Sequence, residues 1–167
     1  MEFDSNITLR VISAIIFGFM LGLEREVTGK FAGLRTHILV CVGACVFTIL
    51  SLYGFRYGLA DGFNGINDPA RIAAQIITGI GFIGAGTVMR HGTTVLGITT
   101  AATLWVSAAV GMACGCGMFY LGGLVTVSTL IVLIVIRYFE RSYIIRKLSE
   151  KRRKKICESV EDDSHIS

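Results

Sequence analysis

Glu24, Arg25 and Glu26 stand in a row where one apolar run ends, and Arg35 with Thr36 opens the next. Arg90 closes a later run, and Thr99 and Thr100 begin another. Helix ends that bring carboxylates, guanidiniums and hydroxyls to one face can do one of two things. Glu24 can pair with Arg35 or Arg90 and hold a bundle together, or the cluster can recognise an ion or a partner. Both readings stay open at this stage. Asp68 and Arg71 flank the start of a further run, as Asp68-Pro69-Ala70-Arg71. Here a structural role comes first: an aspartate accepts bonds from the free N–H groups of a first helical turn, and proline suits its first position.

Other chemistries find little support. A site for Mg2+ or Ca2+ needs hard oxygen ligands, usually carboxylates. Outside the C-terminal tail the acids are Glu2, Asp4, Glu24, Glu26, Asp61 and Asp68, all at or beyond the ends of apolar runs. That weighs against a dedicated cation path, and no residue is assigned to a metal. His37, His91 and His165 are too scattered to suggest zinc. No Ser-His-Asp or Cys-His spacing hints at covalent catalysis, so the expectation is a non-enzyme without cofactor. GIGFIG (Gly79 to Gly84) matches G-x-G-x-x-G as a string, but no acid follows about 20 residues on, as a ribose contact would require. A nucleotide site is rejected, and nothing suggests nucleic acid.

The elements that must position these residues are membrane helices. Of the 167 residues 53% are apolar and one is proline, and the charges are segregated. Between Pro69 and Phe139 there is no acid, and the basic residues are Arg71, Arg90 and Arg137. Five segments approach the roughly 20 helical residues that cross a hydrocarbon core: Ile7 to Leu23, Thr36 to Phe55, Ile72 to Met89, Thr99 to Met118 and Phe119 to Ile136. The N-terminus lacks a basic start and a small-residue cleavage site, so the first segment is expected to remain as a helix. The fold expected is an all-α integral membrane bundle of five transmembrane helices, spanning 1–136, with a basic then acidic tail at 137–167.

Within that bundle, small residues mark close approaches. Ala14, Gly18 and Gly22 recur every fourth position in segment one, a small-xxx-small stripe. Segment three carries Gly79, Gly81, Gly84 and Gly86, and it is expected to be the centre around which the others pack, or the face that binds a partner helix. Trp105, among small residues of segment four, reads as a packing anchor. Cys41 and Cys45 read as small buried hydrophobes. The join at Gly115 to Gly117 is short enough to force segments four and five into an antiparallel hairpin.

Thirteen of the 16 lysines and arginines fall on one side of such a bundle, among them Arg25, Lys30, Arg35, Arg90 and the tail, against Arg10, Arg56 and Arg71 on the other. The positive-inside rule then puts the N-terminus outside and the C-terminus in the cytoplasm, with Lys151 to Lys155 beside anionic lipid.

GFMLGLERE (Gly18 to Glu26), AGLRTHILV (Ala32 to Val40), DPARIAAQIITGIGFIGAGTVMR (Asp68 to Arg90) and GITTAATLWVSAAVG (Gly97 to Gly111) together resemble the MgtC/SapB family of bacterial membrane proteins. The resemblance implies a multi-pass protein of the bacterial inner membrane, linked to growth in low magnesium and, in some pathogens, to survival inside host cells. It further implies a regulator that binds other membrane proteins, F-type ATP synthase among them, and a homo-oligomer is expected. Transport of Mg2+ or another cation is the alternative. Longer members carry a soluble C-terminal domain. Only about thirty residues follow segment five here, too few for such a core, so a short form is expected.

Overall fold

A computed structural model describes residues 2–54 and 69–139. Asp68, the preceding loop and the tail from residue 140 lie outside the described residues. The order is α1 (Glu2–Val27), α2 (Leu34–Ile49) continued by a π-helical turn (Leu50–Gly54), α3 (Pro69–Gly86), a two-stranded hairpin of β1 (Met89–His91) and β2 (Thr94–Leu96), α4 (Ile98–Gly115) and α5 (Phe119–Phe139). Two compact units divide the chain, Met1–Thr129 and Leu130–Ser167. In the second, residues 130–139 are helical, with Ile131, Val132 and Ile134 exposed.

Among the described residues, four helices are long and apolar enough to cross a membrane: Asn6–Val27, Leu34–Tyr53, Ile98–Gly115 and Phe119–Phe139. α3 is apolar but shorter, with Ala70–Gly86 as its apolar stretch. It stops at Gly86 rather than at Met89, because Thr87 and Val88 bond back to the carbonyls of Gly84 and Ala85 and release the chain into β1. The all-α bundle is therefore present, and the hairpin is an addition to it.

The centre of the bundle is α2, which packs on α1 along one side and on α4 along the other. Missing side chains make both contacts close. A Cβ on Gly18 would lie 2.9 Å from Ile38 Cα, and one on Gly22 only 2.7 Å from Leu34 Cα. The stripe of small residues in α1 thus meets backbone, and Ala14 beside it is fully buried. On the other side, a Cβ on Gly115 would sit 2.7 Å from Cys45 O, and Gly111 has no room for one against the carbonyl of Cys41. Cys41, Cys45 and Cys114 are buried free thiols in this interior.

This corrects the expectation that the glycine-rich α3 is central. α3 leans mainly on α4, where Ile80 joins Leu104, Ala108, Ala44 and Ala32 in the core. Gly84 faces Ala101 at an ordinary 3.5 Å, whereas Gly79, Gly81 and Gly86 have nothing within 4 Å. Glycines in a membrane helix permit close approach, but the partner has to be present. Trp105 does not anchor the described packing either, being 51% exposed on α4.

The α4–α5 join is as tight as the sequence demands. Gly117 takes φ +79, Met118 N donates to Ala113 O and Gly117 N to Cys114 O, the paired bonds by which a left-handed glycine closes a helix. α5 then turns back so that Gly122 lies against Cys114 and the Phe17 ring.

Candidate functional site

The last turn of α1 and the first turns of α2 and α4 meet at one end of the bundle. Arg25 is 3% exposed and ion-paired to its neighbour Glu24, itself 10% exposed. The α1–α2 reversal is wrapped around Arg25, whose carbonyl accepts from Lys30 N at 3.0 Å and from Thr28 Oγ1 at 3.2 Å. Glu26 does a different task. Its Oε2 accepts from Leu34 N at 2.9 Å and so serves the exposed N–H groups at the start of α2. Gly33 precedes that helix with no side-chain cap of its own, and a Cβ there would overlap the Glu26 carboxylate. Glycine at 33 and glutamate at 26 are thus one device.

His37, one turn into α2, is wholly buried. Its Nδ1 lies 2.9 Å from Gly33 O, which can only accept, so Nδ1 carries the proton. Its Nε2 lies 3.3 Å from Thr103 Oγ1 on α4. Thr103 also bonds Thr100 O at 2.9 Å, and Ser107 bonds Thr103 O at 3.0 Å. Thr100, Thr103 and Ser107 fall three and four apart and form one buried polar stripe facing α2. Two atoms of the cluster, Glu24 Oε1 and Arg25 Nη1, are buried without a hydrogen-bond partner among the described residues.

Of the residues singled out by sequence, the structure brings together Glu24, Arg25 and Thr100. It leaves Arg35, Arg71, Arg90 and Thr99 exposed. Pairing of Glu24 with Arg35 or Arg90 is corrected: the shorter route is to the adjacent Arg25, and Arg90 Nε donates instead to Gly92 O at 3.0 Å. Sequence reasoning missed His37, Thr103 and Ser107. Their signal was a polar face inside an apolar helix, visible only once α2 and α4 are set side by side.

At the opposite end, Arg10 spans three elements. Its Nη1 donates to Gly115 O at 2.6 Å, its Nη2 to Tyr53 Oη at 3.0 Å, and the guanidinium stacks 5.1 Å from the Tyr53 ring centre. A cation at the negative C-terminal end of α4 is favourably placed. Both terminal nitrogens of Arg10 are thus engaged inside the protein.

A third feature lies on the side of the bundle. An apolar groove of about 540 Å³ runs between α2 and α3, with Ala44, Ile80 and Ala108 among its lining residues together with Gly43 and Gly79. Neither glycine has a neighbour within 4 Å of a built Cβ.

The family model described as the MgtC family matches residues 11–142. "Putative magnesium transporter YhiD" of Escherichia coli (strain K12) is 49% identical over 125 residues, covering 75% of this chain and 58% of the relative. "Protein MgtC" of Salmonella typhimurium (strain LT2) is 45% identical over 111 residues, 66% of this chain and 44% of that one. An uncharacterised Synechocystis protein, slr0014, is 42% identical over 137 residues, 82% of this chain and 54% of its own length. No solved structure matches. The chain spans about half the length of these curated relatives. With its apolar helices and a family match over most of its length, this chain is a membrane protein that belongs to the MgtC family.

Proposed function

We propose that this protein is a non-enzymatic, multi-pass regulator of the bacterial inner membrane, active in adaptation to low magnesium. It works by binding other membrane proteins, with F-type ATP synthase as a candidate partner, through helix-to-helix contact. The N-terminus outside and the C-terminus in the cytoplasm follow from the positive-inside distribution. The observation that carries this reading is the open groove between α2 and α3. Small residues at Gly43 and Gly79 let a foreign helix approach closely where lipid offers no hydrophobic drive. Gly81 and Gly86 extend the same open character along α3.

The printed name of the Escherichia coli relative, a putative magnesium transporter, favours a second reading, transport of Mg2+. Against it weighs the use already made of the carboxylates at the helix ends: Glu24 pairs with Arg25, and Glu26 receives Leu34 N–H. Flux into proteoliposomes separates the two. The regulator reading expects no Mg2+ uptake by folded, inserted protein and co-purification of a membrane partner that is lost in Gly79→Leu. Specific uptake abolished by Glu24→Gln would replace it with the transporter.

A further inference from the structure

We propose that the hairpin Met89–Leu96 is a surface anchor that binds the anionic headgroup layer of the membrane. The sequence makes the hairpin locally: Gly92 has φ +61, Thr93 has negative φ, and His91 pairs with Thr94 across this two-residue turn. Glycine first is the form of a type II′ turn, whose twist suits the flanking strands. The base is equally defined, since Gly97 at φ +92 lies so close to the carbonyl of Thr87 that no side chain would fit.

Among the described residues, nothing covers the hairpin. All six strand residues are exposed, so among the described residues both faces of the ribbon are bare and the sheet has two strands. A two-stranded hairpin is marginal in water unless a third strand or a packed surface supports it. Its apolar residues are large: Met89 is 48% exposed, Val95 47% and Leu96 44%. Met89 pairs with Leu96 on one face and Arg90 with Val95 on the other.

The position of the hairpin identifies the cover. It joins the C-terminus of α3 to the N-terminus of α4, an apolar helix of spanning length, so it emerges where the hydrocarbon ends. Deeper burial is ruled out by its open strand edges, whose N–H and C=O groups need polar partners. Water and phosphates of the headgroup layer supply them. From Gly86 to Ile98 there is no acidic residue and one arginine, Arg90, whose Nε is held by Gly92 O. A guanidinium beside large apolar side chains in an acid-free ribbon complements lipid phosphate.

The test uses the full chain with Trp105→Phe and Leu96→Trp, reconstituted in phosphatidylcholine vesicles with and without phosphatidylglycerol. The anchor gives blue-shifted emission, quenched more by lipids brominated near the glycerol than by lipids brominated at the chain end. Arg90→Glu should lower that quenching at least two-fold in phosphatidylglycerol vesicles and leave it unchanged in phosphatidylcholine. Emission open to iodide, as for a free indole, would overturn the proposal in favour of water. Shielding from iodide without quenching by any brominated lipid would also overturn it, pointing to a protein cover such as a second copy. Equal quenching in both vesicle types, unaffected by Arg90→Glu, removes the anionic headgroup from the assignment. Val95→Trp repeats the measurement on the other face if Leu96→Trp disturbs the turn. None of these outcomes depends on whether the protein regulates a partner or moves an ion.

Discussion

The guanidinium of Arg10 donates to the carbonyl of Gly115 at 2.6 Å, across 105 residues of sequence, and so fastens the beginning of α1 to the end of α4. Tyr53 receives the second bond from the same group. Arg10→Met removes both and should cost at least about 1.5 to 3 kcal/mol, the usual range for one hydrogen bond involving a charged group. Arg10→Lys recovers only part of it, because an ammonium lacks the planar fork that serves two acceptors at once. Thermal unfolding in detergent reads both, and a lysine variant as stable as the native chain would contradict the bridging role.

Gly22 and Gly79 should respond in opposite ways. Gly22→Ala puts a methyl 2.7 Å from Leu34 Cα, and forcing α1 from α2 should cost roughly 1 to 3 kcal/mol. Gly79→Ala meets nothing and should be neutral or stabilising by up to about 1 kcal/mol, as alanine favours helix. A destabilised Gly79→Ala would place α3 against a neighbour that the single chain does not contain, and size exclusion would then show an oligomer dissociating.

Glu24 and Arg25 form a buried pair whose members are dependent on each other. Glu24→Gln leaves an uncompensated cation that is 3% exposed, at a cost of about 3 to 5 kcal/mol. Glu24→Gln with Arg25→Met should be milder than the single change, since removing both charges also removes the desolvation each one suffers. A double-mutant cycle on unfolding midpoints tests this ordering directly.

Glu26→Ala should lower stability by about 1 kcal/mol, the typical loss when a helix start is left uncapped. Glu26→Gln, which keeps an acceptor oxygen for Leu34 N–H, should lose less. Combining Glu26→Ala with Gly33→Ser offers a rescue: the serine enters the space vacated by the carboxylate and can cap α2 from its own position. Failure of serine to recover any stability would show that Glu26 acts by some route other than capping.

The apolar runs and the small stripe of α1 were legible in the sequence, because period and length derive from the helix itself, whereas the end of α3 at Gly86 was not. Which glycines are used was not. Gly18, Gly22, Gly111 and Gly115 meet backbone, whereas Gly79, Gly81 and Gly86, denser in sequence, meet nothing. Composition states what a helix permits, and only the pairing of helices decides what it does. The hairpin reads in sequence as a polar bend, since two three-residue strands are too short to display alternation between two apolar runs. His37 hid for a related reason: the register that sets it against Thr103 belongs to two helices 66 residues apart.

The π-helical turn at Leu50–Gly54 holds one residue more than an α-helix would place in the same rise. Winding the same five residues as a regular α-helix would carry the chain round by one further residue's rotation, about 100°, at the end of the turn. Tyr53 would then leave Arg10, and the tether would come undone without any change of charge or side-chain chemistry. The surplus residue sets the phase of the helix: it aims an aromatic hydroxyl at a cation on another helix of the bundle, and the length of the segment is as much a part of that bond as the two groups that make it.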